Sequence, residues 1–297
     1  MRLVLVASLI LQSASHPADK PAPALDLAPL KVVAPLPPGA RKESSGIVRS
    51  HKTPDLFWSL SDSGNAPRLY PLHRNGSPYL PAAGSKVPGV LIEGARNVDW
   101  EDLTALEDGT LVIADLGNNS NSRQDLALYF VDEPSPTVER SAPARRIDVR
   151  YPDQSEFPPP KTNRNFDCEA VFSVGQTVFL LTKHRSNRKT KLYRLDAPRA
   201  GRVNTLTLLG EHDIDGMVTA ADCDASGKRL LVLTYQKIWL FERENLDTPF
   251  FEGRTSSRPF FLPQAEAICF GDEKTLLLTD EFAGTLLELP LSDLRAP

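Results

Sequence analysis

The chain has 297 residues, of which 41% are hydrophobic and 24% are charged, and its formal net charge is -4 with an isoelectric point near 5.8. This length and apolar content can bury a large core, and no apolar run beyond the N-terminus is long enough to span a membrane. Binding to nucleic acid or to an anionic membrane surface requires a surplus of Lys and Arg, which this chain lacks. We therefore expect a soluble protein that binds neither.

The N-terminus has the three-part pattern of a secretory signal peptide. A basic start is followed by the apolar residues 3–11 and by small residues. We predict a signal peptide over residues 1–16, a Pro- and Ala-rich linker over residues 17–29, and one domain over residues 30–297. A buried first strand or a short core helix is the alternative for the apolar run. The pattern predicts a secreted or periplasmic protein.

The cysteine content excludes a fold that depends on disulfides. Cys168, Cys223 and Cys269 form an odd and small set, and none of them lies in a Cys-x-x-Cys motif. A zinc site or a redox motif is therefore not indicated. Whether Cys168 and Cys223 approach each other stays open at this stage.

A repeat of about fifty residues runs through the domain, and such a period is typical of stacked or circular architectures. Five segments align, and each is followed by two β-rich runs, the second centred on Tyr, Trp or Leu. The aligned segments begin at Glu43, Asp99, Asp167, Thr219 and Gln264. A weaker fourth run closes most units. Four strands per unit, without an amphipathic helix, predict a β-propeller in which each blade packs against the next.

The predicted fold is thus an all-β propeller of five four-stranded blades. The last unit lacks a fourth strand, and residues 30–34 offer a spare one that would close the ring by pairing the two ends of the chain. A sixth blade hidden in residues 135–164 is one alternative. A β-sandwich is the other, but the five-fold register of acidic strand starts argues against it.

Acidic residues from several repeats are expected to meet at one mouth of the central channel. The innermost strand of each blade lines the channel, so strand starts and the ends of second strands lie on the same face. Carboxylates gathered there repel one another unless a proton or a cation neutralises them. Oxygen ligands suit calcium, whereas zinc prefers His or Cys. The predicted metal ligands are Glu101, Glu169 and Glu266 at equivalent positions, with Ser45, Glu43 and Asp222. Structural acids that accept hydrogen bonds from backbone amides or Arg are the alternative.

Basic and amide residues follow the second strands at the same mouth, and they predict a pocket for a small anionic ligand such as a phosphate or carboxylate. Lys183 and Arg185 are the candidate charge-stabilising residues. The predicted ligand-binding residues are Asp62, Asn65, Arg68, Asn118, Asn119, Arg123 and His184. A solvated basic loop is the alternative.

Five motifs resemble those of exported bacterial propellers known as phytase-like or esterase-like. They lie at residues 61–65, 99–102, 115–119, 168–170 and 264–268. More distantly, the chain resembles the calcium-activated nucleotidases, which are five-bladed apyrases whose channel calcium is held by Ser and Glu at strand starts. That resemblance implies ligands at Ser45, Glu101, Glu169 and Glu266. It also implies a departure at Ala221, where that family has Ser.

The predicted activity is calcium-dependent hydrolysis of a phosphorylated small molecule. The ion would polarise phosphoryl oxygens, Asp99 or Asp115 would orient water, and Lys183 or Arg185 would stabilise the developing charge. No Gly-x-Ser-x-Gly elbow, His-Glu-x-x-His motif or P-loop is present in the sequence. The alternatives are a non-catalytic propeller that binds a ligand or partner, and a calcium-dependent lactonase-type esterase. The sequence does not indicate the oligomeric state.

Overall fold

The computed structural model describes residues 30–80 and 89–296. The predicted signal peptide and linker lie outside the described residues. Within those residues the regular structure consists of strands and of three short 3-10 helices. No helix in the described ranges is long and apolar enough to cross a membrane. The prediction of an all-β fold is confirmed.

The strands form five sheets, and each sheet is one blade of a propeller. The chain begins with β1 (Lys31–Pro35), and the first blade then uses β2 (Ser44–Arg49), β3 (Leu56–Ser61), β4 (Arg68–His73) and β5 (Val90–Leu91). The second blade uses β6 (Trp100–Ala105), β7 (Thr110–Asp115), β8 (Ala127–Asp132) and β9 (Arg145–Arg150).

The remaining blades repeat the same antiparallel order. The third blade uses β10 (Asp167–Val174), β11 (Thr177–Lys183), β12 (Lys189–Leu195) and β14 (Thr207–Asp213), while the short β13 (Asn204–Thr205) pairs in parallel with β9. The fourth blade uses β15 (Val218–Cys223), β16 (Arg229–Thr234), β17 (Lys237–Glu242) and β18 (Arg254–Pro259). The fifth blade uses β19 (Ala265–Phe270), β20 (Thr275–Asp280) and β21 (Thr285–Pro290), with β1 beside β21.

The segment that suggested a sixth blade belongs to the second blade. Residues 135–164 contain one strand of the described chain, β9, which pairs with β8 as an outer strand. The alternative of six blades is therefore wrong, and five four-stranded blades are confirmed. At the other end of the ring, β1 pairs antiparallel with β21, where Lys31 lies opposite Glu288.

Apolar side chains fill the spaces between neighbouring blades. Trp58 of the first blade shares a cluster with Trp100 and Tyr129 of the second. Ile47 of the first blade shares another with Leu277 of the fifth. All five are fully buried, and burial of one such side chain contributes about 1.5–3 kcal/mol. The blades therefore stabilise one another and hold their innermost strands around a common axis. Cys168, Cys223 and Cys269 are all unpaired.

Candidate metal centre

Each innermost strand carries a β-bulge near its start, at the mouth of the channel. The bulged residues are Ser45, Glu101, Glu169, Thr219 and Glu266. A bulge leaves one residue without a partner on the adjacent strand and re-aims its side chain. All five side chains are buried. The fold therefore places three carboxylates and two hydroxyls at equivalent positions of the ring.

The fourth member of this ring is Thr219. The sequence alignment had placed Ala221 at this position, which is two residues further along the strand. Val218 and Ala220 pair with consecutive residues of β16, so Thr219 is the residue that the ladder skips. The Thr219 hydroxyl donates a hydrogen bond to the carbonyl of Ala265 in the fifth blade at 2.9 Å. A hydroxyl therefore stands at the ring position where the sequence alignment had placed Ala221.

Asp222, a predicted metal ligand, lies deeper in the fourth blade than the ring. Its carboxylate accepts a hydrogen bond from the backbone N–H of Phe270 in the fifth blade at 2.8 Å, and burial raises its pKa to about 7. Asp102 behaves alike in the second blade, where it accepts the N–H groups of Leu103 at 2.8 Å and of Val171 at 3.0 Å. These two acids link adjacent blades. The structure does not bring Asp222 together with the other predicted ligands.

The acids at the mouth form two groups whose ligand oxygens lie within 4.8 Å of one another. The first triad is Asp62, Asp99 and Glu101, and the second triad is Glu101, Asp167 and Glu169. Asp62 follows β3, Asp99 and Glu101 lie at the start of β6, and the other two lie at the start of β10. Carboxylate oxygens are the donors that hard divalent cations prefer. The structure thus contains two acidic groups that could hold a metal ion.

Basic side chains already pair with Asp167 and Glu169, two of the three acids of the second triad. Arg185 donates from Nε and Nη2 to Asp167 Oδ2 at 2.9 and 2.5 Å. The Lys183 ammonium lies 3.0 Å from Glu169 Oε2, and both side chains are almost fully buried. The backbone N–H of Asn118 donates to Asp167 Oδ1 at 2.6 Å. Lys183 and Arg185, predicted to face an anionic ligand, are therefore paired with acids of the protein.

The three carboxylates of the first triad form no ion pair with a basic side chain of the described residues. Among residues 30–80 and 89–296, no Lys or Arg forms an ion pair with Asp62, Asp99 or Glu101. Burial and the charge of Asp62 raise the pKa of Asp99 to about 6. Burial, followed by the charge of Glu169, raises the pKa of Glu101 well above its usual range, and burial also raises the pKa of Asp62. These three carboxylates require a cation or protons to remain together.

Gly117, which follows β7, packs directly against two of these carboxylates. Its N–H donates to the carbonyl of Asp99 at 3.1 Å. A Cβ atom at this position would overlap Glu101 Oε1 and would lie 2.5 Å from Asp99 Oδ2. The Ser45 hydroxyl lies 3.5 Å from Glu101 Oε2. Only glycine can therefore pack here against both carboxylates, and the donor chemistry of the first triad fits a calcium ion.

Glu266 lies outside both triads, but it interacts electrostatically with Lys183 and Asp62. Gln264 Nε2 donates to Glu266 Oε1 at 3.3 Å, and the Lys183 ammonium lies 4.9 Å from the centre of the Tyr235 ring. Burial raises the pKa of Glu266, while the charge of Lys183 lowers it. Burial and the charge of Glu266 raise the pKa of Glu281 to about 7. Of the three predicted Glu ligands, Glu101 and Glu169 therefore lie in the triads and Glu266 lies outside them, although Lys183 acts on both Glu169 and Glu266.

Asp115 and Arg123 support the first triad from behind. Asp115 Oδ1 accepts hydrogen bonds from the N–H of Asp99 and from Arg123 Nη2, each at 3.0 Å. Asp115 is completely buried, and its Oδ2 atom has no hydrogen-bond partner in the described part of the protein. Asn118 Oδ1 accepts the N–H of Arg123 at 2.9 Å. The structure places Asp115 beneath the mouth rather than in it.

The other predicted ligand residues are engaged locally. Asn65 Nδ2 donates to Glu43 Oε2 at 2.7 Å, and Arg68 Nη1 donates to the carbonyl of Gly89 at 3.0 Å. Asn119 contacts Arg185. His184 Nε2 is buried without a hydrogen-bond partner among the residues described, and burial lowers the pKa of its ring.

Three residues of this centre are not among the predicted site residues. Asp167 starts the third repeat at the position of Asp99, so the same acidic register identifies it. Thr219 is identified only by its pairing with β16, in which Val218 and Ala220 face consecutive residues and Thr219 faces none. Gly117 has no signal beyond its place after a second strand, because its role depends on the distance to Glu101.

Comparisons with known proteins describe the fold more than the function. No family model matches the chain, and no curated protein matches it. Among solved structures, the chain is similar to a provisionally named gluconolactonase, with 14% identity over 81% of this chain and 71% of that one, and a TM-score of 0.44. It is also similar to U3-55K, with 10% identity over 89% of this chain and 64% of that one, and a TM-score of 0.40. Neither comparison supports the phytase-like or nucleotidase resemblance. The functional argument rests on the side chains at the mouth.

Proposed function

We propose that this propeller binds calcium through the first triad, Asp62, Asp99 and Glu101, and hydrolyses a neutral lactone or ester. One observation supports the proposal above the others. The first triad gathers three carboxylates without a basic partner, whereas Lys183 and Arg185 are both committed to acids of the second triad.

Calcium is the proposed ion because the donors are hard oxygens. Carboxylates, with the hydroxyl of Ser45 nearby, suit calcium, and the triad contains no His or Cys that zinc would favour. Burial and then repulsion from neighbouring acids raise the pKa of Glu101, and a divalent cation would relieve the repulsion. Gly117 lets Glu101 and Asp99 approach each other without a side chain between them.

The balance of charge at the mouth favours a neutral substrate. Six carboxyl groups, those of the two triads and Glu266, share the mouth with two basic side chains, Lys183 and Arg185. One calcium ion would bring the positive charges to four, which is still fewer than six. A phosphorylated substrate would add negative charge to this site. We therefore favour the lactonase-type alternative over hydrolysis of a phosphorylated compound.

The residues around the triads supply positions for the chemistry. Bound calcium would polarise the carbonyl oxygen of the substrate. Glu169 Oε2 is held by Lys183 at 3.0 Å, whereas Glu169 Oε1 faces Arg185 only at 3.6 Å. We assign Glu169 Oε1 as the acceptor of the proton from the attacking water. That proton then passes to the leaving alkoxide, so water adds across the ester bond and a lactone yields a hydroxy acid.

Calorimetric titration of the chelator-stripped protein with calcium tests the ion site. We expect one saturable site that Asp62→Asn and Glu101→Gln each weaken at least tenfold, because each substitution removes a charged ligand. Glu266→Gln is the matched control, since Glu266 is an acid of the same ring outside the first triad, and it should retain the affinity. Absence of binding at millimolar calcium, or equal weakening by all three variants, would contradict the site.

Turnover assays test the activity. We expect the calcium-loaded protein to hydrolyse γ-butyrolactone, to lose this activity in chelator, and to leave p-nitrophenyl phosphate and ATP intact. Glu169→Gln should abolish turnover while calcium binding persists. Calcium-dependent hydrolysis of either phosphate compound would instead favour the phosphorylated substrate. We also propose that the protein is exported, which predicts a mature N-terminus near residue 17 when the secreted chain is sequenced.

A further inference from the structure

Two phenylalanines on the mouth face of the fifth blade are unusually exposed. Phe261 is 96% exposed and Phe282 is 79% exposed. Phe261 lies in the connection that leads into β19, and Phe282 lies in the hairpin between β20 and β21, so both are on the face where the innermost strands begin. Exposed apolar side chains grouped beside a site mark a surface for binding.

These two loops are joined to each other and to the ring. The N–H of Glu281, the neighbour of Phe282, donates to the carbonyl of Gln264 at 2.9 Å. Gln264, three residues after Phe261, donates from its side chain to Glu266 of the ring at 3.3 Å. The two aromatic side chains therefore border the same mouth as the triads. We define Phe261 and Phe282 as the apolar lip.

We propose that the apolar lip binds the hydrocarbon substituent of the neutral substrate and so selects substituted over unsubstituted lactones. This inference rests on the proposed function. The negative charge of the mouth favours a neutral compound as the ligand of the apolar lip. The carboxylates that border the lip would repel an anionic membrane surface or an acidic peptide, whereas a neutral ester with an alkyl or aryl chain carries no such penalty.

The test compares γ-butyrolactone with γ-dodecalactone, which carries a long alkyl chain on the same ring. Two measurements are made on each, steady-state hydrolysis and calorimetric binding to the calcium-loaded protein. For wild type we expect a higher kcat/KM with γ-dodecalactone. Phe282→Ser and Phe261→Ser should each lower that value about tenfold, the size of one lost apolar contact, and leave γ-butyrolactone within about twofold. Val203→Ser is the control, because Val203 is 56% exposed on the opposite face.

The two readouts separate this inference from the proposed function. Binding of γ-dodecalactone that depends on Phe261 and Phe282, without turnover of any lactone, supports the lip and contradicts the hydrolase. Turnover that does not depend on chain length, or that neither Ser variant changes, overturns the lip and leaves the hydrolase standing. Failure of both binding and turnover overturns both. A last outcome concerns membranes. If wild type sediments with phosphatidylcholine vesicles, Phe282→Ser does not, and the protein shows no preference for the longer lactone, then the apolar lip binds a membrane and the inference is overturned.

Discussion

Removal of the Lys183 ammonium should destabilise the protein strongly. Lys183 and Glu169 are only 6% and 4% exposed, and their charged atoms lie 3.0 Å apart. When one partner of a buried pair is removed, the other charge stays buried without compensation, at a cost of about 3–5 kcal/mol. For a domain of this size, that loss lowers the melting temperature by about 6 to 20 °C. We therefore expect Lys183→Met to shift thermal unfolding by this amount.

The pH dependence of this loss distinguishes charge from packing. Burial raises the pKa of Glu169 and the Lys183 ammonium lowers it, so without Lys183 the carboxyl group holds a proton more tightly still. Protonation removes the uncompensated charge, so the difference between Lys183→Met and wild type should be smaller at about pH 5 than at about pH 8. A loss of packing alone would be independent of pH.

The measurement is thermal unfolding in chelator, followed by circular dichroism, with Lys31→Met as the control. Lys31 pairs with Glu288 at 2.7 Å, but its side chain is 71% exposed, so its removal should cost no more than about 1 kcal/mol. If Lys183→Met is as mild as Lys31→Met, or if its effect is the same at both pH values, the buried ion pair does not stabilise the mouth as described.

Three further outcomes follow from the ring and its supports. Gly117→Ala should weaken calcium binding at least tenfold in calorimetry, because the added methyl occupies the space beside Glu101; unchanged affinity would place the ion elsewhere. Thr219→Val should lower the free energy of unfolding by about 1 kcal/mol in denaturant titrations, since it removes the hydrogen bond to Ala265, and no loss would show that this bond is dispensable. Stability should fall as pH rises from about 4 towards 7 in part because Asp222, with a folded pKa of about 7, binds its proton more tightly in the folded state than in the unfolded one. Asp222→Asn should make this fall smaller, and an unchanged pH profile would contradict the assignment.

The architecture was accessible to sequence reasoning because it repeats. Similar strand starts recur five times along the chain, and the acidic register at Glu101, Glu169 and Glu266 marks the three bulges that carry carboxylates. The fourth blade misled the alignment, because Asp222 imitates an acidic strand start while the true ring residue is Thr219. The residues of a single strand do not show which of them is bulged. The bulged residue is defined by the pairing of that strand with the next one.

The division of the acids was not accessible in the same way. Whether Glu169 or Asp62 is free for a cation depends on which basic side chain reaches it through the channel. Lys183 and Asp62 both lie at the mouth end of the second strand of their blades. The Lys183 ammonium is nevertheless paired with Glu169. Ion pairing depends on side-chain direction and depth, and neither has a periodic signature.

The sheet that joins β1 to β21 has a consequence for how the protein is made. Lys31 and Glu288 are 257 positions apart in sequence, yet they are hydrogen-bonded neighbours on adjacent strands. Closing so long a segment carries an entropic cost of its own, so this distant pairing should form more slowly than the hairpins within each blade. The first strand to leave the ribosome therefore waits for the last strand before it gains a partner. Until β21 has been synthesised, the fifth blade cannot form the edge in which β1 lies beside β21.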